Sequence, residues 1–300
     1  MKPCVFIQTN PKQLMGAIVA QYALQRNSPH ADQFDVRILN TEDYPFFAAH
    51  EGKPYLRDGV RRIWRNDDLQ SFTPLRFMPP ELMGYQGRAL IIDPDIFAVA
   101  DVWELLSRDM GRAAIMCRKR SGPKGWYGCY ASSAMLLQCD QLTHWKCEEQ
   151  FKALFRDEID YMDWISLKLE PPGSIALFQK EWNDFDTLTS KTKMLHNTRR
   201  RTQPWKTGLA IDYTPVDAYG PVPAVAWIAR VGKTVSRRVP VLQRYWRHPD
   251  SRQEKLFFDL LKECLQKGIV SQQQLSNEIR MKHIRPDAFE VMDRLPRLAA

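Results

Sequence analysis

Two aspartates one residue apart, Asp93 and Asp95, carry the clearest chemistry in this sequence. They follow the apolar run Ala89-Leu90-Ile91-Ile92 and flank Pro94. Four apolar residues bounded by turn formers predict a short buried strand, which should end at Pro94 because proline cannot donate to a strand ladder. Side chains repeat every second residue along a strand, so both carboxylates can converge on one point. Two hard oxygen ligands at one point suit Mg²⁺ or Mn²⁺ shared with a phosphate.

The elements around this pair predict an α/β fold. Residues 4–8, 12–26 and 35–39 read as strand, helix and strand, an order that is typical of parallel βαβ units. Open α/β sheets bind ligands outside the carboxyl ends of their strands, which is where Asp93 and Asp95 would lie. The first turn has no Gly-rich fingerprint, so a dinucleotide-binding Rossmann domain is disfavoured.

The remaining elements are expected farther along the chain. Residues 43–73 are predicted to be an irregular functional loop and residues 118–128 an exposed basic loop. The other expected elements are strands at 112–117 and 133–138, short apolar runs at 175–178 and 194–195, and helices at 141–155, 161–169, 252–266 and 271–282.

Composition favours a folded protein in a reducing compartment. Hydrophobic residues make up 44% and charged residues 26% of the 300 residues. The six cysteines form no Cys-x-x-Cys pair, and neither a signal peptide nor a run of about 18 apolar residues is evident. The expected location is therefore the cytoplasm, with peripheral contact at the inner face of the membrane as an extension of that expectation.

The positive charge is concentrated in the last third of the sequence. Residues 199–300 contain 19 Lys and Arg against 10 Asp and Glu, whereas the first 198 residues have a net charge of −1. Residues 219–249 contain no acidic residue, and their arginines and lysine alternate with Trp227, Tyr245 and Trp246. Such a segment suits an anionic membrane surface or single-stranded nucleic acid, and the membrane is the favoured partner of the two. A solvated face with packed aromatics is the alternative.

The motifs resemble those of glycosyltransferases of the GT-A fold, and most closely glycosyltransferase family eight. Arg76, the apolar strand with Asp93-Pro94-Asp95, and the segment Asp101-Val102-Trp103-Glu104-Leu105 follow the order of that family. The further motifs that agree in order are residues 4–26, Tyr130–Leu137, Asp163, Glu181-Trp182-Asn183, Met194-Leu195-His196 and Gln203-Pro204-Trp205. The resemblance covers roughly residues 3–208.

The resemblance implies a role for each matching position. His196 would complete a metal site with Asp93 and Asp95, and Arg76 would lie near the donor's phosphates. Gln8, Thr9 and Asn10 would receive the nucleoside, and Asp163 would act on the sugar or the acceptor. A cation held by two carboxylates and an imidazole would neutralise the charge that develops on a diphosphate leaving group.

The sequence departs from the family pattern at three positions. Arg199 replaces a glycine, Gln203 replaces the lysine before Pro-Trp, and Trp164 replaces a glutamine beside Asp163. Guanidinium groups bind phosphate through paired hydrogen bonds. The lost lysine's contact with the diphosphate is therefore assigned to one of the basic residues that follow His196, namely Arg199, Arg200, Arg201 and Lys206.

The resulting hypothesis is a hexosyltransferase with a GT-A type sandwich in residues 1–220 and a helical, basic region in residues 221–300. The GT-A sandwich implies a mixed, mainly parallel sheet with helices on both faces. The enzyme would move a sugar from a nucleotide-sugar donor, expected to be a UDP-sugar, to a glycan, lipid-linked or protein acceptor, and the resemblance implies retention of configuration. The alternatives are a non-catalytic basic binding protein of the same fold and a nucleotide-sugar hydrolase.

Overall fold

The structure is a computed structural model that describes residues 1–120, 130–213 and 244–294. The chain divides into two compact units, Met1–Asn197 and Thr198–Ala300. The domain boundary predicted near residue 220 lies outside the described residues, as do the basic loop from residue 121 to 128 and residues 219–243 of the basic aromatic segment.

The first unit is organised by a six-stranded mixed sheet in the order β2-β1-β5-β8-β7-β9. Its described strands, with those of two smaller sheets, are β1 (Cys4–Thr9), β2 (Asp35–Asn40), β3 (Pro54–Arg57), β4 (Val60–Ile63), β5 (Arg88–Ile92), β6 (Ile96–Ala98), β7 (Ile115–Lys119), β8 (Tyr130–Gln138), β9 (Ile175–Leu177), β10 (Asp184–Phe185) and β11 (Met194–His196). Three neighbouring pairs in the large sheet are parallel, and β5–β8 and β7–β8 are antiparallel. The predicted mixed, mainly parallel sheet is confirmed.

The register of the large sheet sets the position of the aspartate pair. Strands β1 and β5 run parallel with Ile7 opposite Ile92, and the residues of both strands from Val5 to Ile7 and from Ala89 to Ile92 are fully buried. Because the strands are parallel and in this register, Gln8 near the end of β1 lies beside Asp93, which directly follows β5, at the same end of the sheet.

A second, three-stranded sheet has the order β10-β11-β6, and its strand β6 follows β5 in the sequence. Strand β6 begins one residue after Asp95, and β11 pairs with it in antiparallel fashion with His196 opposite Ile96. The backbone N–H of Asn197 donates to the carbonyl of Asp95 at 3.0 Å. This pairing brings His196, a hundred residues later in the sequence, beside the second aspartate.

The prediction that residues 43–73 are irregular is wrong. Strands β3 and β4 form an antiparallel hairpin within this range. Asp58 and Gly59 form its two-residue turn with φ of 53° and 68°. A type I′ turn requires positive φ at both central residues, and Asp-Gly is a preferred pair for it. The turn signal was present in the sequence, but the charged strand Val60-Arg61-Arg62-Ile63 does not alternate as a half-buried strand should.

Helices in the first unit connect and cover these strands. They are α1 (Leu14–Arg26), α2 (Pro45–Ala48), α3 (Pro79–Leu82), α4 (Trp103–Leu106), α5 (Cys147–Phe155) and α6 (Tyr161–Ile165). Helix α1 packs against β1, β2 and β6. The helix predicted over 141–155 is wrong in its first half, since α5 begins only at Cys147. There the backbone N–H of Cys147 donates to the Glu81 carboxylate at 2.8 Å, a cap from a distant element that no local pattern reveals.

The second unit contains three described helices, α7 (Ser251–Gln266), α8 (Gln272–Arg280) and α9 (Ala288–Arg294). The first two match the predicted helices, so the expected C-terminal helices are confirmed. Trp205 and Phe257 stack with ring centroids 4.7 Å apart, and Arg285 pairs with Glu254 at 2.8 Å. Among the described residues, no helix has the length and apolar character needed to cross a bilayer.

Candidate active site

The turn after β5 is held tightly by its neighbours. The backbone N–H of Asp93 donates to the carbonyl of Ser133 on β8 at 2.9 Å. On the other side, helix α1 approaches through Gly16, where an added Cβ would lie only 2.7 Å from the carbonyl oxygen of Pro94. Because that oxygen belongs to the backbone, a larger residue at position 16 would displace the turn. The position of the two aspartates is therefore fixed from two directions.

Asp93, Asp95 and His196 form one cluster. One potential ligand atom from each residue lies within 4.8 Å of the others, and His196 Nε2 is 3.3 Å from Asp95 Oδ1. Asp93 and His196 are buried and Asp95 is nearly so. Ligands about 2.1 Å from a small divalent ion lie at most about 4.2 Å apart, so small adjustments would let all three reach one cation. A mixed oxygen and nitrogen donor set of this kind can hold a divalent cation.

Arg76 neutralises one of the two carboxylates. Its Nη2 lies 2.6 Å from Asp93 Oδ2 and its Nε lies 3.1 Å from Asp93 Oδ1, a two-point ion pair with both side chains 7% exposed. Gln8 Nε2 also donates to Asp93, and Arg76 Nη1 donates to Ser132 at 2.9 Å. The arginine thus binds the aspartate directly, and the predicted contact with a phosphate would come in addition.

The protonation of Asp93 reflects opposing influences. Burial raises the pKa of the Asp93 carboxyl, the Arg76 charge opposes that rise, and the nearby Asp95 charge adds to it. In their ionised forms, the carboxylates of Asp93 and Asp95 and the guanidinium of Arg76 sum to a charge of −1. A bound divalent cation would make the net charge of the cluster positive, and the negative charge of a diphosphate would offset it.

His196 is oriented by a buried amide. Its Nδ1 lies 2.8 Å from Asn183 Oδ1, and Asn183 Nδ2 donates to Ser133 Oγ at 3.0 Å. The Phe185 ring contacts the imidazole edge-on, with centroids 5.4 Å apart. These contacts direct Nε2 toward Asp95, the direction that a metal ligand needs.

The predicted nucleoside residues, Gln8, Thr9 and Asn10, are all buried at the end of β1. Asn10 Nδ2 donates to Ser71 Oγ at 2.9 Å and to the carbonyl of Asp68 at 3.0 Å. Its Oδ1 and the Oε1 of Gln8 are buried acceptors with no hydrogen-bond partner in the described structure. A buried acceptor without a donor is costly unless a ligand supplies one.

The predicted diphosphate residues after His196 belong to the second unit. Arg201 lies over the Trp246 ring at 3.9 Å and Arg200 lies over Tyr213 at 5.6 Å. Lys206 is fully buried, and its Nζ is 2.6 Å from Asp212 Oδ2. The Lys206 ammonium is therefore already paired within its own unit.

Asp163 and Trp164 occupy different environments on α6. Asp163 pairs with Lys168 at 2.6 Å and its side chain is 43% exposed. Trp164 is buried and stacks on Phe77 with centroids 4.5 Å apart. The indole that stands in place of the family's glutamine is thus part of the core.

Sequence reasoning missed the residues that support the cluster. Ser132 and Ser133 each bind a polar group of the site. Asn183 matched a family motif without a role. No local pattern predicts these contacts, because they join residues that are separated by 13 to 56 positions.

Comparisons with known proteins find similarity only among solved structures, since no family model and no curated protein matches this chain. The glycosyltransferase GlyE of Streptococcus pneumoniae TIGR4 is 12% identical, with coverage of 83% of this chain and 65% of its own and a TM-score of 0.47. The galactosyltransferase LgtC, solved with donor and acceptor sugar analogs, is 12% identical, with coverage of 79% and 96% and a TM-score of 0.47.

A third similar structure is the bifunctional glycosyltransferase WbbM. It is 15% identical, with coverage of 68% of this chain and 47% of its own and a TM-score of 0.46. This chain thus spans less than two thirds of the GlyE and WbbM chains. At these identities and TM-scores, the likeness by itself shows neither a family nor an activity.

Proposed function

We propose that the chain is a metal-dependent glycosyltransferase of the GT-A type. It moves a sugar from a nucleotide-sugar donor, a UDP-sugar, to a hydroxyl of a glycan, a lipid-linked saccharide or a protein. The observation that carries the proposal is the convergence of Asp93, Asp95 and His196 at the ends of two strands from different sheets. Two hard oxygens and an imidazole in one buried cluster are donors for a cation that binds phosphate.

Charge explains why a nucleotide diphosphate suits this cluster. When bound, the cation supplies Lewis-acid neutralisation of the charge that builds on the leaving diphosphate. Arg76 keeps the cation ligand Asp93 in place through three hydrogen bonds, and its guanidinium would also lie near the phosphates of the nucleotide. Mn²⁺ is the preferred ion over Mg²⁺ here, because an imidazole is a better ligand for transition metals than for magnesium.

The nucleoside is assigned to the end of β1. Asn10 Oδ1 is a buried acceptor whose amide nitrogen is already bound to the segment 68–71. An acceptor in this position suits an N–H donor of the base, and the ring N–H of uracil supplies one. Gln8 and Thr9 are assigned to the same nucleoside.

The diphosphate is assigned to Arg76 and to Arg199, Arg200 and Arg201. Lys206, which the sequence placed with them, is buried against Asp212, so it is assigned a supporting role in the second unit. Asp163 is assigned to hydroxyls of the sugar or the acceptor, because its accessible carboxylate can bind a group that arrives from solvent. Retention of configuration and a cytoplasmic location remain part of the proposal.

Nucleotide binding tests the proposal. The melting temperature of the parent protein and of Asp95→Ala is measured with UDP, GDP and CDP, each with and without Mn²⁺. Ligand that binds only the native state raises the melting temperature. We expect a rise with UDP that requires both Mn²⁺ and Asp95. No rise with any nucleotide, or the same rise in Asp95→Ala, would overturn the metal-dependent function.

A nucleotide-sugar hydrolase is the second candidate, and the burial of Trp164 favours it. The family's glutamine is replaced there by a core residue that cannot contact a sugar or an acceptor. Cleavage of UDP-sugars is followed with and without a panel of glycan acceptors. Stimulation by an acceptor supports the transferase, whereas cleavage at the same rate with every acceptor supports the hydrolase.

A non-catalytic binding protein would behave differently again. Trp246 is 47% exposed and Arg247 is largely exposed at the described end of the basic aromatic segment. Binding to anionic vesicles without any donor cleavage would indicate the membrane-docking role. Nucleic-acid binding that weakens steeply with salt would indicate the alternative partner.

A further inference from the structure

A buried line of three polar side chains ends at the proposed cation site. Ser133 Oγ, the amide of Asn183 and Nδ1 of His196 are joined by hydrogen bonds of 3.0 and 2.8 Å. The three residues are at most 5% exposed, so bulk water does not compete for these bonds. The line connects β8 of the large sheet with β11 of the small one.

The direction of these bonds decides which imidazole nitrogen carries the proton. Asn183 Nδ2 donates to Ser133, so its Oδ1 faces His196 and can only accept. Nδ1 of His196 must then carry a proton, and in the neutral imidazole Nε2 keeps a lone pair toward Asp95 Oδ1, 3.3 Å away. The reverse amide orientation would place the proton on Nε2 and join His196 to Asp95 by a hydrogen bond, which would close the cation site.

Two other residues hold the backbone of Asn183 and the ring of His196. Arg118 Nη1 donates to the backbone carbonyl of Asn183 at 2.6 Å, and the same guanidinium lies over the Phe185 ring at 3.9 Å. Phe185 in turn contacts His196 edge-on. Packing thus fixes the plane of the His196 ring, and the side-chain amide of Asn183 determines its tautomer.

We propose that Asn183 is a positioning residue that holds His196 in the Nδ1–H tautomer, so that Nε2 is available to a divalent cation. This inference rests on the proposed function for the identity of the ligand, a Mn²⁺ ion with a nucleoside diphosphate. Ligating histidines commonly donate their other N–H to a carbonyl or carboxylate, and loss of that partner typically weakens metal binding about 10–100-fold.

Three variants separate this role from simple packing. Asn183→Leu keeps the approximate size and removes the acceptor, whereas Asn183→Asp keeps an acceptor for Nδ1–H. Thr192→Val is the matched control, because Thr192 forms a buried 2.9 Å hydrogen bond to Asp184 in the same small sheet and does not bind His196.

Mn²⁺ affinity is measured by electron paramagnetic resonance on the full chain with saturating UDP. We expect Asn183→Leu to bind Mn²⁺ about 10–100-fold more weakly. Asn183→Asp and Thr192→Val should keep the parent's affinity. Equal affinity in the parent and Asn183→Leu would overturn the proposal, as would failure of Asn183→Asp to rescue.

The tautomer itself is read by nitrogen NMR of the imidazoles in the cation-free protein, with His196→Gln used to assign the signal. We expect a protonated Nδ1 in the parent and in Asn183→Asp, and a mixture of tautomers in Asn183→Leu. An Nδ1 without a proton in the parent would overturn the inference. Because this reading needs no ligand, it remains informative if the parent binds no Mn²⁺, the result that would defeat the proposed function instead.

Discussion

The first unit holds its candidate carboxylates in two contrasting ways. Asp93, at the end of β5, is buried and bound by Arg76 and Gln8, and the neighbouring His196 is fixed by Asn183. Asp163, on α6, is 43% exposed and has an ion pair with Lys168. Under the proposed function, the contrast corresponds to a preorganised end for the cation and diphosphate and an adaptable end for the sugar or acceptor.

The largest expected effect comes from breaking the Arg76–Asp93 pair. Arg76→Met leaves a buried carboxylate without its partner, and such a loss typically costs about 3–5 kcal/mol. The free energy of unfolding is measured by urea denaturation. The double variant Arg76→Met/Asp93→Asn should recover much of the loss, because the uncompensated charge is gone. A single-variant loss below about 1 kcal/mol, the usual size for a surface ion pair, would show that this end is not preorganised by the pair.

Replacing Trp164 by glutamine, the family's residue, sharpens the contrast at α6. Because Trp164 is buried against Phe77, we expect Trp164→Gln to lower the free energy of unfolding by about 3 kcal/mol or more, without raising sugar transfer. The control is Trp246→Gln at an exposed tryptophan, which should change stability by about 0.5 kcal/mol. Increased transfer in Trp164→Gln would contradict the assignment of this position to the core.

Asp163 tests whether the exposed end takes part in the reaction. Asp163→Asn removes a charged acceptor, and hydrogen bonds to charged groups are worth about 1.5–3 kcal/mol, so kcat/KM for transfer should fall at least about tenfold. The melting-temperature rise with UDP and Mn²⁺ should not change. Lys168→Met, which removes only the ion-pair partner, should leave transfer intact. Unchanged kcat/KM in Asp163→Asn would remove Asp163 from the site.

The smallest expected effect concerns the start of α6 and depends on pH. Asp160 accepts hydrogen bonds from the backbone N–H of Met162 at 2.7 Å and of Gly59 at 2.9 Å. Burial acts to raise its pKa, but these backbone hydrogen bonds outweigh it and lower the pKa of Asp160. Asp160→Ala should cost about 1 kcal/mol at pH 7, the typical value of a helix cap.

The sign of the pH effect follows from the lowered pKa. The stabilisation is present above the unfolded pKa of about 3.9 and is lost as the pH falls through the lower folded value. The difference in unfolding free energy between the parent and Asp160→Ala should therefore shrink below about pH 4. A difference that stays constant from pH 7 to pH 3 would show that the charge of Asp160 does not support the cap.

The sequence was informative where local patterns determine structure. The run Cys4–Thr9, the helix at Leu14–Arg26 and the strand before Asp93 are found where apolar periodicity predicts them. Asp93, Asp95 and His196, which were predicted to lie together, form one cluster in the structure. The family resemblance implied it for His196, and the pairing of β11 with β6 brings His196 to the aspartates.

The rest depends on contacts between distant segments. The start of α5 is fixed by Glu81, and the orientation of His196 by Asn183 and Ser133. Trp164 is held in the core by stacking on Phe77, which lies 87 positions earlier in the sequence. Hydrogen bonds and packing of this kind have no periodic signature, so propensity and spacing could not predict them.

The most direct test of the central claim is an anomalous diffraction map from crystals grown with Mn²⁺ and UDP. The account predicts one strong Mn²⁺ peak bonded to Asp95 and His196 Nε2, with Asp93 and the diphosphate oxygens completing its ligands. Bound UDP without an anomalous peak at these three residues, or a peak there that persists unchanged in Asp95→Ala, would contradict the account.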